Sequence, residues 1–544
     1  MSVENLTGGQ AVVRSLIKAG IKRIYGLPGV QNDWLYNALY DYRDEIEVLH
    51  TRHEQGAGYM ALGHYLATGE ASVYNIVPGP GFLNSCGALS TCWGLNAKVM
   101  CLVGQIPRKV QGKKLGVLHE IPDQMGILKR LTKWSEEVES PSMAPAVMAE
   151  AFRQMQSGRP RPVGVEVAMD VLQSKEDVSF DGFDASGEEV ALDTEALEAA
   201  CSLIAEAKNP LVFVAGGAMH ASQEITEFVE YLQSPVFSYR TGKGIVASSH
   251  HLSYPVPAAY ELWPDCDLCI AIGSHARMPL LKWGVDSKIK FLSINIDPEV
   301  HDRMARADVK ITADSREAVS ALNSMLKDKM PPRPSRIEEM KAFSKAWQEK
   351  IAYLEPQLSY LNLIRDELPE DGIFVDELTQ VGFASRIAWQ TDLPRTYLST
   401  GHMGTLGWGF QTALGAKSAR PYATVISVAG DGGFMFGVQE LATAVQHRLG
   451  VILLLFNNNL YGNVRSMQED LYGNRVIATD LHNPDFVKMA HAFGANAVRV
   501  RGMDDLRKAI RDASGESLPT VIEIPVANDW PSTNKFKALP RIRS

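Results

Sequence analysis

The sequence predicts an α/β protein made of three doubly wound parallel-sheet domains. Short β-rich runs alternate with amphipathic stretches along nearly the whole chain. Those runs are apolar throughout rather than alternating, as strands buried on both faces are. Two polar breaks divide the 544 residues, too many for one core, into thirds.

In the first third, "EVLHTRH", "SVYNIV", "VMCLVG" and "PVGVEVA" read as strands, and "GAGYMALGHYLATG" as a helix between the first two. The opening "MSVENLTGGQAVVRSLIKAG" has no apolar core of signal-peptide type and reads as a helix beginning inside the fold. Ser174–Asp193, acidic and without apolar pattern, and Lys327–Met340, with three prolines, read as linkers. The middle third alternates again through "PLVFVAGG", "SPVFSY", "LCIAIGS" and "FLSINID". The last third does so through "GIFVDE", "TVISVAGDGG", "VILLLFNNN" and "TVIEIPV". The expected domains are 1–175, 190–328 and 350–544, with no short repeat.

Composition narrows the function classes. The chain is 45% apolar and 22% charged, ordinary for a globular protein. A net charge of −9 speaks against nucleic-acid binding, which needs clustered Lys and Arg. No uncharged apolar run approaches the roughly 20 residues of a membrane span. Six cysteines, mostly in apolar context, fit a reducing cytoplasm. Cys266 and Cys269 form a C-x-x-C, but no second Cys or His pair lies nearby. A buried strand explains them better than a metal or redox pair.

The chemistry concentrates in Val425–Gly462, "VISVAGDGGFMFGVQELATAVQHRLGVILLLFNNNLYG". It reads as a strand, a helix over "VQELATAVQHRLG" with Gly450 at its C-cap, and a second strand. Such crossovers are right-handed, and open α/β sheets bind ligands beyond the carboxyl ends of their strands. Asp431 ends the first strand and Asn457–Asn459 the second, so hard oxygen ligands suited to Mg²⁺ reach one sheet edge. Gly430, Gly432 and Gly433 allow close backbone approach, and the following helix aims its N-terminus at the same place. A metal-bridged diphosphate satisfies all of these features together.

The segment resembles the signature of thiamine-diphosphate-dependent enzymes. Asn458 lies 27 residues after Asp431, the spacing of the acetolactate synthase and benzaldehyde lyase branch. The resemblance implies Mg²⁺ on Asp431, Asn458 and the Leu460 carbonyl, with Gly432, Gly433, Tyr461 and Gly462 along the diphosphate. "TRHEQGAGYMALGHYLATG" resembles the family's R-H-E-x-x-A segment. Carried onto Glu54, that role is a bond to the aminopyrimidine N1′ in an apolar site that raises the carboxyl's pKa. The local alternative is a first-turn Glu stabilising its helix. "NIVPGPGFLNSCGAL" resembles S-G-P-G-x-x-N, with Asn75 or Pro78 departing from it. "STGHMGTLGWGFQTALGA" resembles the motif whose Met props the cofactor into a V; Leu406 stands there, and Gly404 would offer its carbonyl to the 4′-amino group. Gln380 in "DELTQVGF" matches a diphosphate-contacting position.

The resemblance implies pyrimidine-binding, middle and diphosphate-binding domains in that order. It also implies sites completed across a homodimer or a dimer of dimers (a homotetramer). Substrate-facing positions depart from the relatives. Val30-Gln31 replaces Ala-His of benzaldehyde lyase, and Leu118-His119-Glu120 replaces the Phe-Gln-Glu of acetolactate synthases. His119 would thereby face the reacting carbonyl as an acid–base, with a water-exposed loop His the alternative. Met467 replaces a Trp, and His402 stands where relatives have Gly or an aromatic. The Gly turn of "FVAGGAMHASQEITEF" marks a domain where some relatives bind FAD or ADP; FAD is not expected here, though not excluded. The implied activity is decarboxylation or carboligation of 2-oxo acids or aldehydes, small carbonyl substrates. Acyloin cleavage or dione hydrolysis stays open. So does a silent cofactor-binding protein, against which the presence of both Glu54 and Asp431 speaks.

Overall fold

A computed structural model describes residues 3–537 and 539–543. It contains three six-stranded, all-parallel sheets. The N-terminal sheet takes Arg23–Gly26, Glu47–His50, Ser72–Ile76, Val99–Gln105, Trp134–Val138 and Val163–Ala168, in spatial order 2-1-3-4-6-5. The C-terminal sheet takes Ile373–Val375, Tyr397–Leu398, Val425–Gly430, Val451–Asn457, Asn496–Arg499 and Thr520–Pro525, in the same order. The middle sheet, Pro210–Val214 to Val309–Thr312, runs 3-2-1-4-5-6. The apolar runs are buried strands because helices cover both faces of each sheet.

Three local expectations change. A strand, Val3–Thr7, precedes the first helix, Gly8–Lys18. It pairs antiparallel with Lys175–Ser179, so the first linker begins as structure; its Val178 is buried. The helix expected over 438–450 is shorter, Glu440–Gln446, with His447 rather than Gly450 at its C-cap, and a separate one-turn helix, Asp431–Phe434, precedes it. Gly450 instead serves close approach, since a Cβ there would lie 1.9 Å from the Glu516 carbonyl oxygen.

The N- and C-terminal domains join through two crossing helices, Glu54–Thr68 and Trp408–Ala419. Their backbones touch at Gly63 and Gly415, where a Cβ would fall 2.0 Å from the carbonyls of Thr412 and Met60. One apolar core runs through both domains, from Tyr59 and Leu62 to Phe410 and Leu414. The middle domain has its own core, which Met340 and Trp347 of the connecting helix Ile337–Ile351 complete. Cys266 and Cys269 are buried and free, the latter within the strand Leu268–Ile272, as the strand reading requires. No helix among the described residues is long and apolar enough to cross a membrane.

Candidate active site

In the C-terminal sheet the strand order reverses between Ile373–Val375 and Val425–Gly430, the place where open α/β sheets take ligands. Gly430 is extended and delivers Asp431, 2% exposed, to that edge. Burial raises the Asp431 carboxyl above the usual carboxylate range, against hydrogen bonds that lower it. Its side-chain partner is the Asn483 amide, 2.6 Å from Oδ2. The same Asn483 nitrogen lies 3.1 Å from Asn459 Oδ1 and 3.3 Å from Asn457 Oδ1. One NH₂ group thus faces three oxygens. Asn459 is left-handed at φ 57°, which turns the chain beyond the strand end.

The segment 459–461 then pairs with 479–481. Leu481 N–H donates to the Asn459 carbonyl and Tyr461 N–H to that of Thr479, both at 2.8 Å. Tyr461 lies against the glycine turn: a Cβ on Gly432 would sit 2.5 Å from its ring. A Cβ on Gly462 would sit 3.1 Å from the Asn458 amide nitrogen. Gly432, Met435, Phe436, Tyr461, His482 and Asn483 help line a cavity of about 410 Å³. All its lining residues belong to the C-terminal domain. Sequence reading missed Asn483 and His482, which arrive from a later loop.

Beneath the turn sits Glu377, 1% exposed, also unforeseen although it stands beside Gln380 in the quoted motif. Its Oε1 accepts from Gly407 N–H at 2.6 Å and lies 2.7 Å from where a Gly433 Cβ would be. It therefore joins the turn Gly404–Gly407 to the turn Gly432–Gly433. Burial pushes its carboxyl up to about 8, opposed by the Gly407 bond, and the Asp376 charge adds to the rise. Gln380 opens the helix Gln380–Ala388, which Thr379 caps by accepting from Gly382 N–H. Gly404 has φ 60° and open space where a Cβ would be, and Leu406 is half-buried beside it.

The N-terminal domain assembles the other group. His53 caps the helix that Glu54 opens, its Nδ1 accepting from Gln55 N–H. The N-cap role is His53's; Glu54 stands in the helix's first turn, and its Oε2 accepts from Asn84 at 3.1 Å. Gln31, 3% exposed, lies 2.9 Å through Oε1 from His119 Nδ1 and donates from Nε2 to the Leu118 carbonyl at 3.0 Å. His119 has φ 68°, in the left-handed region that His enters more often than most non-glycine residues do. Its carbonyl lies against Gly79 of the loop before Asn84's helix. Val30 and Leu118 beside them are exposed, at 53% and 59%. His402 is not with this group: it lies by Gly94, ten residues along the helix Pro80–Gly94 from Asn84, about 15 Å at 1.5 Å per residue. Burial lowers the His402 pKa, and Arg240 and Arg277 add to it. Met467 is exposed on the helix Gly462–Leu471.

Three family models match the chain in order: the thiamine pyrophosphate enzyme N-terminal TPP binding domain over residues 6–127, the central domain over 197–322, and the C-terminal TPP binding domain over 379–524. The chain belongs to the thiamine pyrophosphate enzymes. Its relatives in this family place it in the acetolactate synthase-like branch. A "Probable acetolactate synthase large subunit" of Methanocaldococcus jannaschii is 31% identical over 96% of this chain and 92% of its own. A "Probable 2-ketoarginine decarboxylase AruI" of Pseudomonas aeruginosa is 30% identical over 96% and 94%. An "Acetolactate synthase" of Arthrospira platensis is 30% identical over 97% and 95%. This thiamine pyrophosphate enzyme is of the decarboxylase/carboligase type, and its two TPP-binding domains are the two that share a strand order.

Proposed function

We propose that the protein decarboxylates a 2-oxo acid and either protonates the remaining carbonyl fragment or joins it to a second carbonyl compound, with thiamine diphosphate and Mg²⁺. The observation that carries this reading is the convergence of one buried carboxylate and two Asn side-chain oxygens on the single Asn483 amide. Asp431 is buried and its side-chain bond goes to a neutral amide, so a cation entering there would offset its desolvation. In this reading a magnesium ion would sit on Asp431, Asn458 and the Leu460 carbonyl, with Gly432, Gly433, Tyr461 and Gly462 along the diphosphate; Asn457 and Asn459, whose oxygens share the Asn483 amide, flank Asn458. Thiamine diphosphate, once bound, supplies the nucleophilic carbon and the electron sink that cleavage beside a carbonyl demands.

In this reading Glu54 holds a proton at its carboxyl against the cofactor ring. Leu406 and the Gly404 carbonyl fix the ring's bend. Gln380 contacts the diphosphate. His119, held by Gln31, exchanges a proton with the substrate, and Val30, Leu118 and Met467 shape the pocket; His402, which lies by Gly94 and apart from His119 within one chain, would reach it only from the C-terminal-domain side. The resemblance to the family brings Glu54 of one copy of the chain to Asp431 of another, in a dimer or a dimer of dimers. The exposed Val30, Leu118, Met435 and Phe436 are the apolar surface it would cover. Six free cysteines support a reducing, cytoplasmic setting. The His119–Gln31 pair favours a second reading, acyloin or dione cleavage without loss of CO₂.

Proton NMR of the protein with thiamine diphosphate, Mg²⁺ and panels of 2-oxo acids, aldehydes, acyloins and diones tests this. Consumption of a 2-oxo acid, abolished in Glu54→Ala, is the expected result. Cleavage of acyloins or diones with 2-oxo acids untouched would move the assignment to the second reading.

A further inference from the structure

Glu440 opens the helix Glu440–Gln446 of the C-terminal domain and is fully buried, yet its carboxyl faces the N-terminal domain. Its Oε2 accepts from the Arg52 N–H at 3.1 Å, across 388 residues, and from the Thr443 hydroxyl at 2.6 Å. The other oxygen, Oε1, lies 2.6 Å from where a Cβ on Gly56 would be, so only glycine leaves it room. The carboxyl thus lies against the chain two residues before Glu54 and two residues after it.

Two more contacts run from the same helix to the same segment. His447, its C-cap, donates from Nε2 to the His50 carbonyl at 3.2 Å, and the two imidazole rings meet edge to face with centroids 5.0 Å apart. The Arg52 guanidinium donates to Gln446 Oε1 at 3.2 Å. Burial raises the Glu440 carboxyl, while Thr443 and the N–H groups of Arg52 and His53 oppose the rise. A carboxylate is costly to bury, and an apolar side chain would hold two domains together as well. What the carboxylate adds is direction. It fixes the backbone where the chain turns into the helix Glu54–Thr68, at the positive end of that helix.

Among the described residues the Glu54 side chain has one hydrogen bond, from Asn84, so its placement depends on the backbone beneath it. Glu440 is in turn tied to the glycine turn at Asp431. The Gly433 carbonyl accepts from Phe436 N–H at 3.1 Å, and the Gly437 carbonyl from Glu440 N–H at 3.0 Å. We propose that Glu440 is a positioning residue for Glu54: by gripping the backbone at Arg52 and Gly56, it sets the first turn of the Glu54 helix where the Glu54 carboxyl meets the cofactor ring. This rests on the role proposed for Glu54 above.

The test uses the full chain saturated with thiamine diphosphate and Mg²⁺. It reads the exchange of the cofactor's C2 proton with deuterium, by acid quench and proton NMR, with thermal melts reporting folding separately. Glu440→Ala removes both oxygens and should slow the exchange about 10- to 100-fold, the scale of a small misplacement of a reacting group. Glu440→Gln keeps an acceptor for the Arg52 N–H and should restore most of the rate. Gly56→Ala drives a methyl into the carboxyl and should slow the exchange as well. Exchange at the wild-type rate in a folded Glu440→Ala, whatever its Tm, overturns the proposal. If that variant does not fold, the wild-type rate in Gly56→Ala does so. Glu54→Gln separates the two ideas: an unchanged rate there removes the role of Glu54 itself, whereas a rate that falls in Glu54→Gln alone removes only that of Glu440.

Discussion

The Asn483 amide nitrogen lies 2.6 Å from Asp431 Oδ2, across a separation of 52 residues. The same nitrogen reaches Asn457 and Asn459, so one side chain closes the donor cluster at the carboxyl edge of the C-terminal sheet. Removing it in Asn483→Ala leaves a buried carboxylate short of a partner, at a cost of about 1–3 kcal/mol. A metal ion would take over that role. Thermal melts of the variant should therefore show a deficit in the cofactor-free chain that shrinks when thiamine diphosphate and Mg²⁺ are added. An equal deficit in both states would separate Asn483 from the metal site.

Glu54 and Asp431 come from different domains, and the cavity beside Asp431 is lined by the C-terminal domain alone. If a second copy completes each site, Glu54→Ala and Asp431→Ala are each inactive, yet an exchanged equal mixture recovers activity. Half of the dimers would then carry one intact site, giving about a quarter of the wild-type rate. A mixture as inactive as its components would show that both residues act within one chain.

His119 combines φ 68° with a 2.9 Å contact to Gln31. Asn tolerates the left-handed region, so His119→Asn should fold with little change in Tm. If the imidazole moves a proton in the reaction, kcat falls about 100-fold. Steady-state kinetics with an unchanged kcat would return His119 to a structural loop residue.

Glu377 sets a pH dependence of stability. Its folded value near 8 lies above the roughly 4.3 of an unfolded chain, so the folded state holds a proton that the unfolded state releases. That contribution is complete below about pH 4.3 and is lost as pH rises to 8. Glu377→Gln keeps the shape and the bond from Gly407 N–H but does not titrate. Its Tm relative to wild type, measured without cofactor, should climb by several degrees between pH 5.5 and 8. A flat difference across that range would mean that the carboxyl is already ionised in the fold.

What the sequence determined by itself was local. Continuous apolar runs identified the buried strands, because a strand covered on both faces leaves no polar alternation. Asp431 and Asn457–Asn459 were legible as strand-end residues because each directly follows or ends such a run. Glu54 was legible as the first residue of a helix after a strand, while the role expected of it came from the resemblance to the family. The one-turn helix Asp431–Phe434 and the shortening of the next helix to Glu440–Gln446 were not legible: the apolar periodicity of "VQELATAVQHRLG" is the same whether or not its ends form.

Tertiary structure alone decided how these pieces meet. The shared order 2-1-3-4-6-5 of the outer sheets, against 3-2-1-4-5-6 in the middle one, depends on where each crossover returns, and periodicity carries no record of that. Asn483 against Asp431, Glu377 beneath Gly433, and Lys243 against Trp389, which lies 146 residues away, are polar partnerships. They form because burial makes an unmatched donor or acceptor costly, and burial is a property of the packed domains rather than of any one segment.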